Sequence, residues 1–327
     1  MDTEKILKSF GFDAPCTACT PLTEGHLHAT YRVETADGCF ILQKLRHEDP
    51  AALMENIALV TAHVREHPGV NIPQYFRTAE GWLHDGCYRL MDCLPGNPLT
   101  ADSPPAQTEA ASFAVGRFDA ALHGLKGLRE VWPAFHDTRA YLETLRHLRL
   151  PEGHTALQRK AVTIGEAACG LYDRMQDGLL PVRIVHGDTR AANILVSGKK
   201  AAVIDLDTVG SGLAAYDYGD GIRSAAQHDG RLDRERFRAF TRGFLRGMTL
   251  LTEDEIRSLV PGIYSVTAEL AMRYLNDLAG GCTYFRRTPE QTAARAEELL
   301  AFAFEVLEQE SMLQGEVQAL RHAPVPF

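Results

Sequence analysis

Asp188, Asn193 and Asp205 stand in one short stretch, with Asn193 five positions after Asp188 and Asp205 twelve positions after Asn193. Two carboxylates and a carboxamide offer hard oxygen donors, the kind that Mg²⁺ accepts. A carboxylate left outside the metal shell can accept or orient a hydroxyl proton. A metal held by oxygens next to such a carboxylate is what phosphoryl transfer from ATP requires. Asp188 is therefore read as the catalytic base, and Asn193 and Asp205 as Mg²⁺ ligands. Asp207, two residues further on, is either another Mg²⁺ ligand or a partner that supports one. His186 is read as loop support through hydrogen bonds rather than as a reacting group.

The pattern H-x-D-x-x-x-x-N recurs in many unrelated chains. Here it lies between the apolar runs Arg183–Val185 and Ile194–Val196 and is followed by Ile204-Asp205-Leu206-Asp207. The plain alternative is a polar hairpin whose Asp and Asn only cap turns. The flanking β-like runs argue against it. They make Asp188 leave one strand and Asn193 enter the next, so both side chains share one mouth, and Ala202–Leu206 brings Asp205 to the same place. This is the spacing of the protein-kinase catalytic loop, with Gly187 where those enzymes carry Arg.

The surrounding elements divide at about residue 95. Before it, Thr30–Glu34 and Cys39–Leu45 read as strands joined by Ala36-Asp37-Gly38, a hairpin signal. Asp49-Pro50 predicts a helix start, with Leu53, Ile57, Val60 and Val64 at helical spacing behind it. Trp82–Leu83 and Cys87–Cys93 read as a second hairpin. After Pro95-Gly96-Asn97-Pro98, helical patterns cover 106–125, 137–148, 155–177, 233–247, 253–279 and 289–310. The expectation is an α+β, protein-kinase-like bilobal fold. A small β-rich N-lobe (1–95) would bind nucleotide, and a larger helical C-lobe (96–327) would carry a central catalytic hairpin.

Composition narrows the partners. The chain has 327 residues, 45% apolar and 24% charged, with a net charge of −9. That is enough chain for two packed lobes. No basic run marks a nucleic-acid surface. No apolar stretch is long enough to span a membrane, and no signal peptide is evident. Seven scattered cysteines read as reduced thiols in a cytoplasmic protein. Cys16-Thr17-Ala18-Cys19 is a lone CxxC and is read as incidental.

His186-Gly187-Asp188 to Asn193 and Ile204-Asp205 resemble the aminoglycoside phosphotransferase-like kinases, which share the protein-kinase fold and phosphorylate small molecules. Within them the chain is most similar to the N-acetylhexosamine 1-kinases. The similar segments include Glu24–Tyr31, Phe40–Lys44, Met54–Ile57, Ala134–Thr138, Ile204–Val209, Tyr216–Arg223 and Met272–Asp277 through Phe285. The resemblance implies that the turn with Gly25 and His26 lies over nucleotide and sugar, and that Lys44 meets the ATP phosphates with Glu55 as its partner. Met91, Asp92, Cys93 and Leu94 would form the adenine hinge. Arg273, Asp277 and Tyr284 would line the sugar pocket with Asp188. On spacing alone Arg273 and Asp277 are an ordinary i, i+4 helix pair. Asp217 and Asp220 would brace the catalytic loop, while His136 and Asp137 are read as structural.

The implied reaction is phosphorylation of an N-acetylhexosamine at its 1-hydroxyl, with ATP as donor. Choline, homoserine or an aminoglycoside are the competing acceptors on the same fold. Choline calls for an aromatic cage and an aminoglycoside for several carboxylates. A nucleotide-binding pseudokinase is the third reading; it conflicts with the presence of Asp188, Asn193 and Asp205 together.

Overall fold

The computed structural model describes residues 2–22, 28–133 and 135–322. Gly25 and His26, expected over the nucleotide and sugar, lie outside them. The chain opens with helix α1 (Thr3–Ser9), capped by the Asp2 side chain, and strand β1 (Cys16–Leu22). Strands β2 (Ala29–Thr35) and β3 (Gly38–Lys44) form the expected hairpin, closing at Thr35 opposite Gly38. Helix α2 (Pro50–Arg65) follows, with Asp49 accepting from the Ala52 amide at 2.9 Å. Strand β4 (Tyr88–Asp92) completes an antiparallel sheet in the order β1-β2-β3-β4.

The rest of the described chain is mostly helical, with three small sheets, one of them a two-residue ribbon pairing Gln227–His228 with Arg231–Leu232. Its elements are β5 (Asn97–Pro98), α3 (Pro105–Ala121), α4 (Thr138–His147) and α5 (Thr155–Gln176). Then come β6 (Arg183–Val185), β7 (Ile194–Ser197), β8 (Lys200–Val203), β9 (Gly210–Gly212) and α6 (Ala214–Ala225). Helices α7 (Arg234–Gly247), α8 (Glu253–Ala279), α9 (Pro289–Glu308) and α10 (Glu310–Arg321) end the described chain. Thr252 with Glu255 and Thr288 with Gln291 form capping boxes that start α8 and α9. The α+β, kinase-like arrangement of a small antiparallel sheet and a larger helical body is thus present.

The β-sheet alternates its faces as strands must. Val33, Phe40, Leu42 and Leu90 point to one side and pack on Ile6 and Leu7 of α1 and on Phe10 just after it. Gln43 and Arg89 point to the other, directly opposite each other across β3 and β4. On that side Leu53, Met54, Ile57 and Val60 of α2 join the large core shared with α3 and the catalytic strands.

Three elements differ from expectation. Trp82–Leu83 is not a strand; a tight turn with one bridge, Asp85 to Tyr88, leads into β4 alone. Cys16–Leu22 is a strand whose alternation is blurred because most of its residues are exposed. Helix α6 shows no polar face, because eleven of its twelve residues are buried. Amphipathic periodicity finds only helices with a wet side.

Glycines let α6 lie against α8. A Cβ on Gly219 would fall 2.4 Å from the Gly262 carbonyl oxygen, and one on Gly262 would fall 2.0 Å from that of Ala215. Both obstacles are backbone, which no rotamer change relieves. Gly262→Ala is expected to lower unfolding free energy by about 1–3 kcal/mol in urea denaturation. Because α6 carries Asp217, the same variant should speed amide exchange at His186 and Gly187. Unchanged stability would refute the close contact.

Candidate active site

Strand pairing brings the central residues together. Ile194 sits opposite Val203, and the Ile204 amide donates to the Asn193 carbonyl at 2.9 Å. Asp205 therefore emerges one residue beyond Asn193 on the adjoining strand. Its backbone is left-handed (φ 63°, ψ 64°), a conformation Asp tolerates better than most residues and one typical of functional turns. That turn ends the strand and starts a short 3₁₀ segment, Leu206–Thr208. Asn193 Nδ2 donates to both the Asp188 carbonyl (2.8 Å) and Asp188 Oδ2 (3.0 Å). Both partners are acceptors, so the amide orientation is determined and Oδ1 faces away as the oxygen donor. Arg190 Nε lies 3.5 Å from Asp188 Oδ2, with both side chains about one-third exposed.

The loop carrying Asp188 is fastened from below. Asp217 on α6 accepts from the His186 amide (2.7 Å) and the Gly187 amide (2.8 Å). His186 Nδ1 accepts from the Asp188 amide at 3.2 Å, so Nε2 carries the proton and donates to the Ile204 carbonyl at 3.0 Å. The ring thus ties Asp188 to the strand that delivers Asp205, loop support through hydrogen bonds. Gly187 has φ +85°, and a Cβ there would meet the Thr208 carbonyl oxygen at 2.8 Å, so no larger residue fits. Asp119 on α3 is buried nearby, and burial together with Asp217 raises its carboxyl well above the ordinary range. Asp217 accepts the His186 and Gly187 amides, and its hydrogen bond with Asp119 acts to raise Asp119 and to lower Asp217, so the proton of this pair belongs to Asp119. Asp220 instead pairs with Arg223 on its own helix.

Charge at the mouth is unbalanced. Burial, then the charges of Asp207 and Asp188, push the Asp205 carboxyl up to about 6. A divalent cation held by Asp205 and Asn193 Oδ1 would reverse that shift, so the donor set fits Mg²⁺. Asp207 is different. Its Oδ1 accepts from Arg89 Nη1 (2.5 Å), and its Oδ2 accepts from Arg89 Nη2 (3.0 Å) and His28 Nε2 (2.6 Å). Burial opposes its charge, yet Arg89 and His28 outweigh that and hold the carboxyl far below the usual range. Both oxygens are engaged, so of the two roles open to Asp207 the geometry displays the supporting one and corrects its assignment as a metal ligand. His28 Nδ1 accepts from the Arg46 amide at 3.1 Å, leaving Nε2 as the donor.

Other expected residues separate into those near Asp188 and those turned elsewhere. Lys44 is exposed, with its ammonium 5.8 Å from the Tyr88 ring centroid. Glu55 pairs with Arg129 at 3.2 Å, which corrects the expected Lys44–Glu55 pair. In the hinge segment, the amides of Asp92 and Cys93 donate to Gln74 (3.0 Å) and Cys39 (3.3 Å); Met91 is buried and Leu94 half-buried. Arg273 Nη2 donates to the Tyr284 hydroxyl at 3.1 Å and feels the charges of Glu269 and Asp188. Asp277 accepts from the Tyr284 (2.8 Å) and Phe285 (3.0 Å) amides with its two oxygens. In the structure it shapes the loop that carries Tyr284. Asp137 caps α4 through the Ala140 amide at 2.9 Å.

Sequence reasoning missed Arg89 and Trp132. Arg89 is fully buried, with Nε on Gln43 Oε1 (2.8 Å) and both terminal nitrogens on Asp207. Its only signal was a lone charge inside the strand Tyr88–Asp92. Trp132 Nε1 donates to the Asp207 carbonyl at 2.8 Å and had no signal at all.

Removing one partner of a buried ion pair leaves the other charged and dry, which costs about 3–5 kcal/mol. Arg89→Met should therefore destabilise the chain by that order in urea denaturation. The double variant Arg89→Met/Asp207→Asn should recover part of the loss. An Arg89→Met chain as stable as the parent would refute the clamp.

The comparisons agree with this geometry. A family model described as "Phosphotransferase enzyme family" matches residues 18–253. Among solved structures, an aminoglycoside phosphotransferase from Alicyclobacillus acidocaldarius is 12% identical with a TM-score of 0.65, over 97% of this chain and 96% of that one. A microcompartment-associated aminopropanol kinase is 20% identical with a TM-score of 0.64, over 94% and 97%. An ethanolamine kinase from Plasmodium vivax is 12% identical with a TM-score of 0.57, over 88% and 81%. Identities this low carry the fold alone. The family match covers well over half of the chain, which therefore belongs to the phosphotransferase enzyme family.

Proposed function

We propose that this protein transfers the γ-phosphoryl group of ATP to the 1-hydroxyl of an N-acetylhexosamine, giving the sugar 1-phosphate and ADP. In this reading residues 1–95 bind the nucleotide, with Lys44 and the hinge Met91–Leu94 on its path, and residues 96–327 carry the catalytic loop and the acceptor site. Asp188 accepts a hydrogen bond from the acceptor hydroxyl and takes its proton late in transfer. Asn193 Nδ2 keeps the Asp188 carboxylate aimed while Asn193 Oδ1 and Asp205 hold Mg²⁺. When bound, Mg²⁺ bridges the phosphates and spreads their charge.

The acceptor class rests on Arg273. It is fixed by Tyr284, lies beside Glu269 and feels the Asp188 charge. A guanidinium and a phenol suit hydroxyl and acetamide groups. An amino alcohol, suggested by the names of two fold neighbours, needs a carboxylate to receive its ammonium. Glu269 is engaged by His136 and Asp277 by two amides. The partners of the proposed enzyme are thus ATP and a small sugar, with neither nucleic acid nor membrane; no helix of the described residues is long and apolar enough to cross a bilayer.

Incubation with Mg·ATP and a panel of N-acetylhexosamines, amino alcohols and aminoglycosides, followed by ³¹P NMR, locates the new phosphate. An anomeric sugar phosphate is the expected product; phosphate on an amino alcohol alone would replace the acceptor assignment. Asp188→Asn is expected to lower kcat by roughly 100-fold or more while ATP still binds. Near-normal turnover in that variant would sink the base assignment.

A further inference from the structure

Among the buried groups that phosphoryl transfer leaves without a task, His136 is the one whose contacts lead to the reacting carboxylate. Its Nδ1 lies 3.1 Å from Glu269 Oε2, and its Nε2 lies 2.9 Å from the Gly187 carbonyl oxygen. A peptide carbonyl only accepts. Glu269 also faces the Arg273 guanidinium, one turn further along α8. A carboxylate oxygen likewise accepts, so both ring nitrogens donate. The ring stacks on Tyr216, 4.9 Å between centroids at 28°, and its backbone is left-handed at φ 60°.

We infer that His136 is a doubly protonated imidazolium that positions the catalytic carboxylate by holding the carbonyl of Gly187, the residue just before Asp188. The inference rests on Asp188 being the base. The Gly187–Asp188 peptide then has little room to turn. Its N–H, that of Asp188, donates to His186 Nδ1 (3.2 Å), and its carbonyl accepts from His136 (2.9 Å). The preceding peptide is held through the Gly187 N–H on Asp217 (2.8 Å), and the space a Cβ at Gly187 would need is closed by the Thr208 carbonyl oxygen and the Phe135 ring. His136 touches no reacting atom and is a positioning residue. Asn193 sets the carboxylate orientation from above, and His136 sets the backbone from which that carboxylate projects.

The groups facing His136 are Glu269 from α8, Asp220 and Tyr216 from α6, and the Gly187 carbonyl from the loop; Asp137, next to it, is turned to the α4 N-terminus. Burial works against the charged ring, but Glu269 and the Gly187 carbonyl outweigh it and raise its pKa to about 9. The sign follows. A raised imidazole pKa stabilises the folded loop fully below the ordinary value of about 6.5, and that contribution disappears as pH climbs through about 9.

The test uses the full chain labelled with ¹⁵N-histidine. His136 is assigned from the signal missing in His136→Gln. Both its ring nitrogens should remain protonated at pH 8 and titrate near 9. A neutral tautomer at pH 7 would overturn the proposal. In steady-state kinetics, kcat should fall along an alkaline limb near pH 9. His136→Gln should lower kcat on the order of 10-fold at neutral pH, leave the KM for ATP unchanged and abolish the limb. A variant whose kcat–pH profile overlays that of the parent would reject the positioning role. If no sugar is phosphorylated, the acceptor reading fails separately. The ring-nitrogen titration and the amide exchange of Asp188, expected to rise in His136→Gln, then decide this proposal by themselves, and unchanged exchange counts against it.

Discussion

A guanidinium removed from water needs a carboxylate that can face both of its outer nitrogens, and Arg89 finds that partner only in Asp207. The pair joins the β-sheet to the turn that bears Asp205. An unpaired charge in that position is prohibitively dry, so the sheet and the catalytic strands must meet in one register. His28, just before β2, adds a third group to the same carboxylate. Trp132 holds the backbone of Asp207 from yet another segment. The interaction is therefore less a source of net stability than a constraint on geometry. Where Asp207 goes, Asp205 follows, two residues away.

The catalytic loop is built by the opposite strategy. Its polar backbone is saturated from beneath by groups with obligatory roles. Asp217 takes two amides, His186 bridges two strands and His136 donates to a carbonyl. Each contact is cheap individually. Together they leave Asp188 as the side chain presented at the mouth, with Asn193 on one oxygen and Arg190, about one-third exposed, beside it. Preorganisation of this kind suits a reaction in which the protein supplies position and field rather than covalent chemistry.

The close approach of α6 and α8 serves both ends of the site. α6 supplies Asp217 to the loop, and α8 supplies Glu269, Arg273 and Asp277. Gly219 and Gly262 let the two helices touch backbone to backbone. One packing contact thus relates the support of the Asp188 loop to the surroundings of Arg273 and Tyr284. Asp277 extends the relation by gathering the amides of Tyr284 and Phe285, which sets where the Tyr284 ring stands.

The order of residues alone pointed to Asp188, Asn193 and Asp205, and was enough for the β2–β3 hairpin, the start of α2 and most of the helical body. These are features of local spacing, capping and period, which a linear chain carries directly. It also held the family resemblance, since the motif residues are close together. Tertiary structure decided the rest. A carboxylate such as Asp207 or Asp277 reads the same in sequence whether it meets a metal, a sugar, a guanidinium or an amide. Only the approach of distant segments selects among them. Arg89 gave one faint sign, a charge inside an apolar strand, and α6 gave none because a helix buried on every side has no period. Asp188, Asn193 and Asp205 stood out because their types recur at short range, and His186 and Asp217 beside them were read as supports; Arg89, Trp132 and the contacts of His136 were not, because packing brings them from 51 (His136) to 118 (Arg89) residues away.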